Sequence, residues 1–488
     1  MPQYLRKLLG TSLILAGFLY FLPASAQNAV VAPPPPELPA ETYVMPPPQL
    51  NLTLTLRDAI MLAMRFNPNV KNAELQRVVD KFSLAVARNQ FAPQVAITAQ
   101  GLAQNNAKAS FSAFPGVSYL SPYGTKVSSG LTQIINEENP SALTTDADVS
   151  ITQPLLRGFG RKVTEAGLNS ALDSEKINQL NFKNNVITQV VAVINAYYQL
   201  VQGYNSLEVN KLSLRDAQNT LNQTQEKIKV GKAAPTERVQ QQLNMANTEL
   251  SISQNENAVQ QSYQNLLSLL GLDPNAQINI DKKIDYTYAN IPSLSESINL
   301  ALTHNITYQS SLLAYKILER NLLVAKDQQK WQLDATARYL QPLTSSGVSS
   351  VSSRSLTLNL DIPIRDLSRK QQLVNARIGI DQARINLRQQ RNTLITSVTN
   401  AYHTVQFNQR QVQLAANTVK LALQNLDIAK IKFNYGKTTS FELTSAQTAV
   451  TNAQIGYIGQ QIQYMNAVEN FFQTLGTTLE KWKIRLTY

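Results

Sequence analysis

Ser355-Leu356-Thr357-Leu358-Asn359-Leu360-Asp361-Ile362 alternates without a break between polar and apolar side chains. Successive side chains of a β-strand point to opposite faces, so this stretch predicts a strand with one apolar and one polar side. Working outward, Leu333 to Leu340 supplies a partner strand. Val95, Ile97 and Ala99 mark another near 93–103, and Ala147, Val149 and Ile151 one near 143–153. The connections 104–142 and 341–353 are rich in Ser, Gly, Pro and Asn and read as polar loops, as on the outer side of an outer-membrane barrel. A small soluble sandwich fits less well, because four strands are few for it. Four strands cannot close around a useful lumen either, and unpaired edges do not sit in hydrocarbon. Several copies must then share one barrel, with twelve strands if there are three.

The strands lead into unusually long helices. Val163 to Val230 contains no proline and only Gly167 and Gly203 as glycines, which at 1.5 Å per residue allows roughly 100 Å of helix. Lys370 to Asn434 is interrupted only by Gly379. Each long helix ends at a Gly-Lys turn and is followed by another, giving antiparallel coiled-coil hairpins over 163–270 and 370–475. Gln240-Gln241-Gln242, Gln260-Gln261 and Gln460-Gln461 make the surface polar without charge. That suits a water-filled wall and an ordinary helical exterior equally.

Landmarks recur at one constant offset: Tyr197 and Tyr402, Gly231 and Gly436, Gly271 and Gly476. Two structural repeats follow, 51–291 and 292–483, with a short C-terminal tail at 484–488. Each opens with an interrupted helix, 56–90 broken at Asn67-Pro68 and 294–332 broken at His304-Asn305. Before them, Arg6 and Lys7, the apolar run Leu8 to Leu22 and Ala24-Ser25-Ala26 predict an export signal over 1–26. Residues 27–50 form a Pro-rich leader, either a disordered spacer or a tether along the protein. The alternative of a membrane anchor at the N-terminus suits the short run less well.

No cysteine is present, so disulfides and thiolate metal sites are excluded. With only His304 and His403, and no Gly-rich phosphate loop, the usual catalytic and metal arrangements lack material. An enzyme is therefore not expected, nor a cofactor or a metal site. The formal charge of +12 is dispersed among amide and hydroxyl residues rather than gathered into a basic stripe, which argues against nucleic acid.

Leu54 to Pro68 (LTLRDAIMLAMRFNP), Ala87-Arg88 leading to Pro93, Gln153 to Gly160 (QPLLRGFG), Val230-Gly231 and Tyr435-Gly436-Lys437-Thr438 occur in an order that resembles the outer-membrane efflux protein family. These are the TolC-like channels of tripartite efflux and type I secretion systems, and the resemblance covers nearly all of 51–483. It implies a homotrimer: four strands per subunit build a 12-stranded membrane β-barrel, continued by a long antiparallel α-helical coiled-coil tunnel of twelve helices in the periplasm. Outer-membrane lipid, a periplasmic adaptor (membrane fusion) protein and an inner-membrane pump of the RND or ABC type would be its partners. Cargo could be drugs, other small molecules or secreted polypeptides. A dedicated type I protein secretion channel, a metal-ion efflux channel and, in a different class, a coiled-coil adhesin stand as alternatives.

The resemblance also assigns candidate residues. Gly231, Lys232, Gly436 and Lys437 form tips that would meet the adaptor, although glycine and a basic residue also simply end helices. Phe433, Lys437, Thr438, Glu442, Ser445, Glu237 and Arg238 would surround the periplasmic entrance. Glu442 keeps an acid where the family's best-known member has one; Ser445 stands in place of a second acid and Thr438 in place of a gate arginine. Arg238 or Lys437 is expected to latch Glu442. The two glutamates also suit first-turn capping. Pro154, Gly158 and Gly160 would redirect the chain from strand to helix, with Pro363 at the shorter second junction.

Overall fold

The computed structural model describes residues 49–104, 107–136, 144–284, 288–344, 347–348 and 351–486. The expected export signal and nearly all of the Pro-rich leader lie outside the described residues. Along the chain come β1 (Gln49–Leu54), α1 (Leu56–Phe66), α2 (Pro68–Asn89), β2 (Gln94–Gln104), β3 (Ala107–Leu120), β4 (Lys126–Asn136) and β5 (Thr144–Pro154). There follow α3 (Arg161–Thr164), α4 (Ala166–Lys229), α5 (Pro235–Leu270), β6 (Gln277–Ile280), α6 (Leu294–His304) and α7 (Ile306–Asp327). The last elements are β7 (Gln332–Thr344), β8 (Gly347–Val348), β9 (Ser353–Asp361), α8 (Leu367–Asn434), α9 (Ser440–Leu475) and α10 (Thr478–Lys481).

Contacts divide these elements into two compact units. One comprises Val78–Asn178 and Ser311–Leu387 and holds the large sheet, in the order β2-β3-β4-β5-β7, with β8 and β9 both pairing β7. Every neighbouring pair is antiparallel. β8 occupies Leu343 and Thr344 of β7 and β9 occupies Gln332 to Leu340, so the two share the last column.

The expectation of four strands per chain is thus corrected to six columns. Residues 104–142, read as a polar loop, contain β3 and β4, a hairpin inserted between β2 and β5. Ser, Gly and Ala are poor strand formers in isolation, and Pro115 lacks an amide donor. The sheet tolerates both: the β3–β4 ladder pairs Ser110 to Ala113 and Gly116 to Leu120 and leaves Phe114 and Pro115 unbridged. The second expected loop, 341–353, is likewise shortened, since its ends belong to β7 and β9 and its middle includes β8.

The other unit contains Gln179–Ser310, Arg388–Tyr488 and the described part of Glu41–Arg77. Its first core joins Val193, Tyr197 and Leu200 of α4 to Leu266 and Leu270 of α5, Ala59 and Ala63 of α1, and Leu54, Ile278 and Ile280. β1 and β6 form a parallel two-stranded sheet there, which the sequence patterns did not reveal. The Tyr197 hydroxyl donates toward the Leu54 and Asp281 carbonyls at 3.1 Å each. Burial pushes this phenol up to about 12. A second core sets Val398, Val405 and Val412 of α8, one heptad apart, beside Tyr464, Phe471 and Leu475 of α9 and Ala301 of α6.

The interrupted helices are pinned to the hairpins in the same way twice. Asn67 is buried; its amide nitrogen donates to the Leu269 carbonyl at 2.7 Å, and its oxygen accepts from the amides of Asn69 and Val70. Asn305 donates to the Thr474 carbonyl at 3.0 Å and accepts from the Tyr308 amide. Beside each lies a left-handed glycine. A Cβ on Gly271 would stand 2.1 Å from the Phe66 carbonyl oxygen, and one on Gly476 2.3 Å from that of His304. Only glycine lets the two chain segments approach this closely. The expected C-terminal tail also joins the packing, with Ile484 and Leu486 against the cluster around Phe182 and Val186.

Candidate functional site at the hairpin tips and strand junctions

Both hairpins turn by the same hydrogen bonds. After α4, Gly231 adopts φ +74°, its amide donates to the Ile228 carbonyl at 3.0 Å and the Lys232 amide to that of Lys227 at 2.8 Å. After α8, Gly436 adopts φ +69°, with equivalent bonds to Phe433 at 3.0 Å and from Lys437 to Lys432 at 2.8 Å. A left-handed residue closing two such bonds is a regular helix C-terminus. Lys232 and Lys437 are left exposed at the turns, as are Arg238 and Ser445 farther along.

The return helices begin differently. α9 is capped by Thr439, whose hydroxyl accepts the Glu442 amide at 3.4 Å. The Thr438 hydroxyl donates to the Glu442 carboxylate, and Lys432 stands 3.6 Å from it. That hydroxyl, and then the Lys432 charge, holds the Glu442 carboxyl below its usual range. The expected latch from Arg238 or Lys437 to Glu442 is therefore replaced, within one chain, by Thr438 and Lys432. α5 starts at Ala234, which has no capping side chain, with Pro235 in the first turn.

Glu237 leaves its own hairpin. Its carboxylate accepts from the amide and hydroxyl of Ser440 at 3.2 and 2.5 Å, so an acid of α5 caps the N-terminus of α9. Ser440 is buried. Lys227 reaches the same way: its ammonium donates to the Phe433 carbonyl and sits 3.2 Å from the centre of the Phe433 ring. Burial pushes Lys227 below its usual value, while nearby Glu237 opposes the shift. Farther from the tip, the Thr444 hydroxyl donates to buried Gln241 at 2.9 Å and the Gln447 amide to Thr220 at 3.0 Å.

Phe433 is thus a core residue, packed with Leu426, Ala429, Leu443, Ala446 and Val450 rather than exposed at the tip. Lys227, Lys432, Thr439 and Ser440 were missed from the sequence, and Gln241, read as part of a polar surface, is instead buried. The Thr439 to Glu442 spacing, a capping-box pattern, was the available signal for one of them. Nothing local marks Lys227 or Gln241, whose partners lie on the other hairpin.

At the first strand–helix junction Pro154 ends β5 opposite Asp334, and Gly158 and Gly160 take φ +79° and +100°. The Gly158 amide donates to buried Asp327 at 2.7 Å, and Gly160 donates to the Tyr123 carbonyl at 3.2 Å in the β3–β4 turn. The second junction follows Pro363 without glycine. There Arg365 itself takes φ +58°, and Asp366 accepts from the Arg369 amide and the Ser368 hydroxyl to start α8.

Two kinds of comparison bear on this geometry. The sequence profile described as "Outer membrane efflux protein" matches residues 59–272 and 318–477. No individual curated sequence matches the chain. Among solved structures, the open-state MtrE channel of Neisseria gonorrhoeae is similar with TM-score 0.68 at 13% identity, covering 87% of this chain and 89% of that one. VceC of Vibrio cholerae gives 0.66 at 14%, covering 86% and 96%. The Campylobacter jejuni CmeC channel gives 0.65 at 16%, covering 87% and 86%.

Proposed function

Because the chain belongs to the outer membrane efflux protein family, we propose that it is the outer-membrane exit duct of a tripartite export system. The observation that carries this reading is the two-faced sheet. Register-matched residues share a face, and one cross-sheet row reads Tyr119, Val127, Ile151, Ala337, Leu356 while the adjacent row reads Gln94, Ser118, Ser128, Ser150, Arg338, Ser355. An apolar side for lipid and a polar side for a lumen are what a passive membrane wall requires. Among the described residues β2 and β9 are open edges, and hydrocarbon does not accept them, so other copies must supply their partners. Phe407, Leu414, Leu421 and Ile428, an exposed heptad row on α8 that Tyr435 extends into the turn, also suit a neighbouring copy.

Three copies form the duct, with the barrel in the outer membrane and the hairpins in the periplasm. The tips around Gly231, Lys232, Gly436 and Lys437 meet a periplasmic adaptor, through which an RND- or ABC-type pump delivers cargo. Glu237 and Lys227 hold the two hairpins of each subunit together at the entrance, and Glu442, Thr438 and Ser445 lie along the same rim.

Planar-bilayer recording tests the duct. Purified protein is expected to conduct weakly, and Glu237→Ala to raise single-channel conductance severalfold. Absence of channels from both would overturn the reading. Photocrosslinkers replacing Lys232 and Lys437 in the native envelope are expected to capture an adaptor; capture of none would remove the tips' role.

A further inference from the structure

We propose that each subunit lays six strand columns into the barrel, so that a trimer closes on eighteen strands and encloses a bore wider than a twelve-stranded wall allows. The inference rests on the trimeric duct proposed above. Its source is the β3–β4 hairpin, which is built into the wall rather than draped over it.

Three observations place the hairpin there. First, β3 pairs β2 along Gln94 to Gln104, and β4 pairs β5 along Lys126 to Ile134, so among the described residues no β2–β5 pairing closes a smaller sheet. Strands of 14 and 11 residues match the length that crosses a bilayer.

Second, near its turn the hairpin continues the rows of both faces, interrupted by Ser129 on the apolar side and Phe114 on the polar side. Val117 lies in register between Val95 and Ser129, and Tyr119 opposite Val127, on the apolar side. Ser118 and Ser128 extend the polar row between Gln94 and Ser150, and the Ser128 and Ser150 hydroxyls meet at 2.8 Å. A hairpin lying in the lumen or over the rim would have no reason to keep this alternation in phase.

Third, its turn is anchored at the level where strands become helices. The Tyr123 carbonyl accepts from Gly160, and the Thr125 hydroxyl donates to Gln153 at 2.5 Å. A Cβ on Gly124 would stand 2.5 Å from the Gly158 oxygen, so the turn fits closely against the junction. The glycines foreseen there for redirecting the chain also seat the added hairpin.

Barrel diameter grows nearly in proportion to strand number. With strands ~4.8 Å apart and tilted ~40°, eighteen give a backbone diameter of about 36 Å and twelve about 24 Å. The added hairpin therefore sets an upper size limit on what leaves through the barrel, favouring bulky cargo or several molecules abreast.

Two measurements on the full-length protein test this, both helped by its lack of cysteine. In native envelopes, the pairs Gln100→Cys with Ser112→Cys, and Ser128→Cys with Ser150→Cys, are expected to oxidise to disulfides within one chain of the assembled trimer. Failure of either pair to oxidise overturns the proposal. Deletion of 107–136 in the Glu237→Ala background is expected to lower the radius of the largest neutral polymer admitted from the barrel side by about one third. An unchanged cut-off overturns it as well. If the deletion prevents assembly, the cysteine pairs decide alone. If the intact Glu237→Ala protein forms no channel, the duct reading falls while the cysteine pairs still report the number of columns.

Discussion

Lys432 and Glu442 of the second hairpin pair with each other at 3.6 Å, half exposed. The equivalent Lys227 and Glu237 of the first hairpin both reach across to the second, to the Phe433 carbonyl and to Ser440. The same two side chains at matching positions thus stiffen one tip and tie together two. The difference lies in the donors that the carboxylate meets: Ser440 stands where the first hairpin has Pro235, which offers neither an amide donor nor a hydroxyl. An exposed pair is worth little, whereas a carboxylate on the free amides of a buried helix start is worth considerably more. At the opposite ends of the hairpins the principal contacts recur, because Gly271 and Gly476 each abut a helix-end carbonyl while Asn67 and Asn305 each donate to a hairpin carbonyl.

Substitutions at the shared ends should therefore hurt equally, and those at the tips should not. Gly271→Ala and Gly476→Ala should each destabilise by about 4 kcal/mol, since a Cβ meets backbone at a positive φ. Parallel thermal unfolding curves check this; a tolerated substitution on one side only would break the equivalence. Asn67→Ala and Asn305→Ala should each cost about 2 kcal/mol, leaving a carbonyl and helix-start amides without their partner.

Tyr197 gives a pH effect on the same scale. Its folded-state pKa lies above the unfolded one, so its contribution is intact below about pH 10 and is lost as pH rises through about 12. Alkaline unfolding in that window should be delayed in Tyr197→Phe by on the order of 2 kcal/mol, less the loss of the hydroxyl's bonds.

The long hairpins, their glycine turns and four of the sheet's columns could be read directly from the chain, because periodicity and a run free of Pro and Gly are local signals. β3 and β4 could not. Ser110, Gly116, Ser118, Ser128 and Gly130 acquire strand character only from neighbours on both sides, and Pro115 resembles a breaker until the gap in its ladder is seen. β1 and β6 escaped for a related reason, since a parallel ladder joins short segments far apart in sequence. At the tips, the acids and glycines were visible. Which acid crosses between hairpins was not, because that depends on Ser440 being brought beside Glu237 by packing.

The smallest effect is expected at the second tip. Glu442→Ala should leave thermal stability nearly unchanged and alter conductance far less than Glu237→Ala. Since the Glu442 carboxyl is held below its usual range, whatever it contributes is present at neutral pH and is lost as pH falls through that depressed value. Conductance titrated from pH 5 to pH 3 should therefore differ between wild type and Glu442→Ala at the upper end of that range and converge toward the acidic end.

The contact between the two hairpins is tested most directly by locking it. Glu237→Cys with Ser440→Cys, in a chain otherwise free of cysteine, places one thiol on each hairpin at the tip. Recorded in planar bilayers, the oxidised protein should conduct no more than wild type, and reduction should raise its conductance severalfold and reversibly. Conductance that is high and indifferent to oxidation would contradict an entrance held shut between Glu237 and Ser440.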